Sequence, residues 1–198
     1  MRTRRALTIG LACLAGLFCW ALLRARSPFP SDQTPEGAYL RIVIAVNRGR
    51  VQDFFAYTET YTQHACYTIR DYRKQTRDRV LASFPEPERS PLAAQYAEEA
   101  EAPDGADVLA IYAKRNGWMN RLRKDMSGIA KVEVQGERAT VQTARGTRYP
   151  FRRRENGIWG LTLFTATLSA EAEKAARDLA VIEKAAGDYE HAAKLGAP

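Results

Sequence analysis

The chain reads as an α+β domain: helices first, then a four-stranded antiparallel meander, then a long C-terminal helix. Three observations predict this. Apolar residues recur every three or four positions through most of residues 34–126, the period of a helix. The period becomes two over residues 131–166, interrupted by Gly136, Gly146 and the Asn156–Gly157 pair. A final apolar stripe at helical spacing then runs from Ala172 to Tyr189.

Ahead of the domain, Ala6 to Leu23 is an uncharged apolar run between MRTRR and RAR. At about 1.5 Å per residue its eighteen positions reach about 27 Å, enough for a membrane-crossing helix. We expect residues 1–26 to be a signal anchor in the inner membrane, residues 27–33 a linker, residues 34–193 one domain and residues 194–198 a flexible tail. Arg2, Arg4 and Arg5 outweigh Arg24 and Arg26, which places the N-terminus inside and the domain on the periplasmic, extracytoplasmic side. Two alternatives stay open. A cleaved signal would release the domain, although Leu22–Arg26 is a poor cleavage context. Lipidation at Cys13 would follow Gly10-Leu11-Ala12, which matches a lipoprotein box only loosely.

Thr34, Pro35 and Glu36 combine an N-cap, a proline at the first helical position and an acid in the first turn. Tyr39, Ile42, Val43 and Val46 share a face, and Gly49 ends that helix. A short helix follows, burying Val51, Phe54 and Phe55. A longer one runs from about Glu59 to Ser83 with Tyr61, Ala65, Ile69, Tyr72 and Thr76 facing inward; Pro85 and Pro87 stop it. Ser90 opens another helix to about Glu101. After the Pro103-Asp104-Gly105 turn comes an amphipathic helix carrying Val108, Ile111, Tyr112, Trp118, Met119 and Leu122, kinked at Asn116–Gly117. The expected strands are Lys131–Gln135, Ala139–Thr143, Thr147–Arg154 and Ile158–Ala166. Ser169 caps the last helix, whose stripe is expected to cover the sheet.

Charge and rare residues narrow the chemistry. The net charge is +7, but the first 26 residues hold five arginines and no acid. Removing these five leaves +2 for the rest, so nucleic acid is not an expected partner. Cys66 is the one cysteine beyond the apolar run, which excludes a disulfide within the domain and reads as a buried small residue. His64 and His191 are the only histidines, so neither a metal nor a cofactor is expected.

The helix turning at Gly49–Arg50 into Phe54 and Phe55, the strands KVEVQGERATVQT (131–143) and RGTRYPFRRRENGIWGLTLF (145–164), and Trp159 in the last strand resemble the nuclear transport factor 2-like (cystatin-like) superfamily. They resemble in particular bacterial membrane-attached or lipoprotein members, many of unassigned function, and the likeness covers about residues 34–165. It implies a cone-shaped space between helices and sheet. None of the family's catalytic positions is matched, so no catalytic residue is carried over.

Three groups are candidate sites. Tyr57, Tyr61, His64, Asp71 and Tyr72 form the densest polar–aromatic stretch, with His64 and Asp71 as possible acid–base groups. Arg145, Arg148, Arg152, Arg153 and Arg154 gather on one hairpin, suited to an anionic envelope component or protein partner. Against this, residues 85–107 hold seven acids and one arginine, which would neutralise the hairpin if the two surfaces meet. Trp118, Tyr149, Phe151 and Trp159 would line a ligand pocket or a dimer interface, or simply fill the core. The expected function is therefore a membrane-anchored, extracytoplasmic, non-catalytic binding or assembly module. A pocket enzyme using His64 and Asp71 and an accessory subunit docking through its C-terminal helix are the alternatives.

Overall fold

The computed structural model describes residues 29–196. The apolar run over residues 6–23 lies outside them; among the described residues no helix is long and apolar enough to cross a membrane. Residues from Asp32 onward fold as one unit.

Thr34 caps α1 (Pro35–Arg48), its hydroxyl accepting the Gly37 N–H at 3.1 Å. Gly49 closes α1 in the left-handed region at φ 71°, where a side chain is disfavoured. The next helices are α2 (Val51–Phe55) and α3 (Thr60–Ser83). They are followed by α4 (Arg89–Ala100), α5 (Gly105–Arg115) and α6 (Trp118–Asp125). The expected kink at Asn116–Gly117 is a full break, with Gly117 at φ 63° between α5 and α6.

The sheet is the expected meander, in the order β1 (Ile129–Gln135), β2 (Arg138–Thr143), β3 (Arg148–Arg153) and β4 (Trp159–Leu161). Pairing of Val132 with Val141, Val141 with Tyr149 and Phe151 with Leu161 puts the apolar side chains on one face. That face packs under α1, where the rings of Tyr39 and Tyr149 lie 5.5 Å apart. The Tyr39 hydroxyl donates to the Ser127 carbonyl at 2.7 Å, tying the helix to the entry of β1.

Two expectations need correction. The fourth strand is not Ile158–Ala166 but three residues long, and the last helix, α7 (Thr165–Gly196), begins before Ser169. The chain turns at Leu163, and Leu168 then enters the core from the first turns of α7. All three β4 residues are buried because the chain covers this edge. Thr58 bridges Leu161 in parallel, the Glu59 N–H donates to the Leu161 carbonyl, and the Leu161 N–H donates to the Tyr57 carbonyl at 2.7 Å. Gly160 makes this possible, since a Cβ there would stand 2.6 Å from the Glu59 backbone.

The second correction concerns α7 as a whole. Its stripe (Ala172, Ala175, Ile182, Ala186) is buried, but along α3 and not on the sheet. The two helices run parallel. Thr62 meets Thr165, Arg73 meets Asp178 and Ser83 meets Glu190, at nearly constant separations of 103, 105 and 107 residues. Consequently the inward face of α3 is rotated from the expected one: Thr62, Cys66, Arg73 and Val80 join Ala65, Ile69 and Thr76 inside, and Tyr61 faces out. Beyond the main core, Val80, Phe84, Ala93, Ile182 and Ala186 form a smaller core of their own, closed by Phe84 and Tyr189 with ring centroids 4.9 Å apart.

Candidate functional site

The arginine hairpin is not one cluster. Arg145 sits at the β2–β3 turn, where its guanidinium donates to the Lys124 carbonyl at the end of α6. Arg148 pairs with Glu133 on β1 at 3.1 Å. Arg152, Arg153 and Arg154 instead stand at the other end of β3, where they meet the start of α3. There they line a cleft of about 330 Å³ together with Glu59, Thr60, Tyr61, His64 and Glu155. The structure thus joins parts of two candidate sites that lie some ninety positions apart in the chain.

Each cleft residue is positioned by an identifiable feature. Arg154 leaves β3 and donates to the Ala56 carbonyl at 2.7 Å and to Gln63 Oε1 at 3.0 Å, pinning the hairpin to the α2–α3 connection. Its Nε is buried without a hydrogen-bond partner, and burial lowers its pKa. The Arg152 guanidinium stands 5.7 Å from the ring centre of Tyr61, which is 60 % exposed. Arg152 also lies directly across the ladder from Arg138, a like-charge pair that disfavours the strand contact. Among the described residues, neither Arg152 nor Arg153 has a carboxylate partner. His64 is exposed one turn into α3. Glu59, the residue before α3, is only 5 % exposed.

His64 and Asp71 do not meet as an acid–base pair. They sit two turns apart on α3, a rise of about 10 Å, and Asp71 accepts two hydrogen bonds from Arg70, at 2.9 and 3.0 Å. Tyr57 is half-buried with Arg41 over its ring at 5.9 Å, and Tyr72 is half-buried on α3. Phe151 and Trp159 are packed in the core, with Trp159 Nε1 donating to the Gln33 carbonyl.

Trp118 and Tyr149 do reach an opening. A cleft of about 240 Å³ runs between α6, β3 and the β4–α7 turn, bounded by Trp118, Tyr149, Leu163 and Phe164 with Arg121 and Asp125 near them. Trp118 is stacked on Phe164 at 4.4 Å. The Tyr149 hydroxyl is buried without a partner, and burial, reinforced by Tyr39 and Asp125, pushes it up to about 12.

A third arrangement escaped sequence reasoning. Arg73, Glu99 and Tyr112 are buried polar side chains where α3, α4, α5 and α7 converge. Arg73 donates to Asp178 at 2.5 Å, Tyr112 to Glu171 at 3.2 Å, and Arg115 pairs with both Glu98 and Glu99. Burial first, and then Glu99 and Glu171, raise the Tyr112 hydroxyl. These charges are paired among themselves and hold helices together. The one available signal was an arginine on a stripe otherwise made of Thr, Ala, Cys, Ile and Val. Among the described residues no group of His, Cys, Asp and Glu is placed to hold a metal.

No protein-family model matches the chain, and no curated protein or solved structure matches it either.

Proposed function

We propose that this is a membrane-tethered, extracytoplasmic, non-catalytic binding domain whose cleft at the start of α3 takes a phosphate-bearing anionic group of the cell envelope. The observation that carries this reading is the convergence of Arg152, Arg153 and Arg154 with His64 and Tyr61 on one cleft. Arginine offers a planar fork of donors matched to phosphate oxygens. Among the described residues Arg152 and Arg153 form no ion pair, and the free N–H groups of the first turn of α3 add positive potential at the same place.

The tether supports the same reading. The chain enters the domain at Asp32, whose carbonyl accepts the Trp159 N–H in β4, next to the arginine-bearing hairpin. Eight residues separate Leu23 from Asp32, a span of under about 30 Å even when fully extended. The helices-first order and the four-stranded meander support a nuclear transport factor 2-like architecture as part of this proposal.

Calorimetric titration of the full chain in detergent with inorganic phosphate tests it. Binding should weaken with added salt, and Arg152→Ser with Arg153→Ser should cost about tenfold per arginine. Arg145→Ala, at the far turn, should leave it intact. Binding that ignores both salt and the double substitution would refute the proposal.

A further inference from the structure

We propose that the domain pairs with a second copy of itself through β1, the two strands running antiparallel about Val132 so that Lys131 of each copy faces Glu133 of the other. This goes beyond the binding reading above and does not depend on the arginine cleft. It begins from the two edges of the sheet. The β4 edge is closed by the chain's own Tyr57–Glu59 segment. β1 is the other edge, seven residues long, and among the described residues no strand pairs with its outer side. Such a row of unpaired N–H and C=O groups is a template for a further strand.

The ladder identifies which groups are free. The Arg153 N–H donates to the Glu137 carbonyl and the Thr143 N–H to the Thr147 carbonyl, so odd-numbered residues of this stretch bond toward β3. The even-numbered Arg138, Thr140 and Gln142 therefore bond toward β1, where they stand opposite Gln135, Glu133 and Lys131. The backbone groups of Val132 and Val134 are left pointing outward. A second β1 must meet them with its own outward residues, which leaves few registers. Pairing about Lys131 or about Glu133 sets like charges directly opposite, which is destabilising. Pairing about Val134 sets Glu133 against Gln135 and leaves Lys131 without an acid across the interface. Pairing about Val132 sets Lys131 against Glu133 on both sides of the axis, with Val132 against Val132 between them. It also brings Val134, which is 54 % exposed, beside Ala130 of the second copy, another exposed apolar residue. The irregularity between Ile129 and Lys131 falls at the ends of this pairing and leaves its centre regular. A lysine on an edge strand ordinarily discourages pairing. With Glu133 two positions on, Lys131 favours a strand that brings an acid opposite it, and β1 itself is such a strand.

Sedimentation equilibrium of the full chain in density-matched detergent tests this. The parent should show a monomer–dimer equilibrium. Lys131→Glu and Glu133→Lys each create like-charge pairs on both sides of the axis, and each should weaken dimerisation about tenfold. The chain carrying both substitutions regains opposite charges and should dimerise like the parent. Val134→Pro removes an outward N–H that the β1–β2 ladder does not use, and should weaken the dimer with an unchanged circular dichroism spectrum. A parent that stays monomeric at every soluble concentration would overturn the proposal. So would a dimer that none of these substitutions weakens, because another surface would then hold it. A double substitution no better than the singles would overturn the register about Val132.

Discussion

Replacing Gly160 with alanine tests whether the seat of Glu59 is as tight as its geometry implies. The added Cβ would lie 2.6 Å from the Glu59 N and Cα and 2.6 Å from the Thr58 carbonyl oxygen. All three are backbone atoms, so no side-chain rotation relieves the contact. The Thr58–Glu59 segment must move outward, which strains or breaks the Glu59-to-Leu161 bond at 3.2 Å and the Leu161-to-Tyr57 bond at 2.7 Å. Overpacking costs about 1–3 kcal/mol and each lost hydrogen bond about 1 kcal/mol. The expected loss is therefore about 3–5 kcal/mol, a large part of the stability of a domain this size. Urea denaturation of the full chain, followed by circular dichroism, should show a lower midpoint with an unchanged slope. Gly187 is the control: it is exposed in α7, a Cβ added there would meet nothing within 4 Å, and alanine should stabilise by about 0.5–1 kcal/mol. A Gly160→Ala midpoint indistinguishable from the parent would refute the close approach of the Thr58–Glu59 backbone to β4.

Other consequences are open to direct measurement. Tyr149→Phe removes a buried hydroxyl that has no partner, and should raise stability by about 1 kcal/mol in the same urea assay; a loss of that size would reveal a bond the fold depends on. Cys66 is fully buried and burial pushes its thiol up to about 12, so iodoacetamide at pH 8 should leave it unmodified until denaturant unfolds the domain, as mass spectrometry would show. Glu190 is held below the usual carboxylate range by its hydrogen bonds from Ser83 and Arg79, and Glu86 by those from Ser90 and Arg89. A depressed carboxylate stabilises above its unfolded pKa and loses that contribution as pH falls through its folded one; hydrogen-exchange protection factors around residues 183–190, corrected for the intrinsic pH dependence of exchange, should therefore fall below pH 4.5 and stay flat from pH 6 to 8. Deleting residues 170–198 should give an insoluble product, because Ala172, Ala175, Ile182 and Ala186 cover α3, whereas stopping after His191 removes, among the described residues, only exposed ones.

Local chemistry made much of the fold readable. Thr34 and Gly49 marked both ends of α1 because capping depends on neighbouring atoms alone, and the two-residue period with its turn glycines specified four strands in order. Leu163 misled because alternation continues past Leu161 in sequence. What ends the strand is the Tyr57–Glu59 segment closing its edge, about a hundred positions away. The face of α3 was misjudged for the same kind of reason. Tyr61 and Tyr72 look like core residues, but the parallel contact with α7 selects Thr62, Arg73 and Val80 instead. The candidate site was half legible. The arginines and His64 were visible as residue types, but Glu59 carried no signal, because its burial comes from Gly160 and β4 and not from its neighbours.

The competing account of the arginines was that the acidic stretch over residues 85–107 neutralises them. The structure tests it residue by residue. Glu86 pairs with Arg89, Glu88 accepts from Tyr189, and Glu98 and Glu99 both take Arg115. Glu101 pairs with Arg77, Asp104 caps α5, and Asp107 accepts from Gln52. All seven acids are engaged by partners other than the sheet arginines. The acidic stretch thus closes on other helices, and Arg152 and Arg153 share their cleft with Glu59 and Glu155 without an ion pair among the described residues. Concentrating like charge across a ladder, as Arg138 and Arg152 do, lowers stability. A sequence under selection for stability alone would have an inexpensive remedy in a single glutamate on β2. The acidic stretch therefore does not account for Arg152 and Arg153, which stand at their cleft without an ion pair among the described residues, and the double serine substitution decides between an anion site and a solvated face.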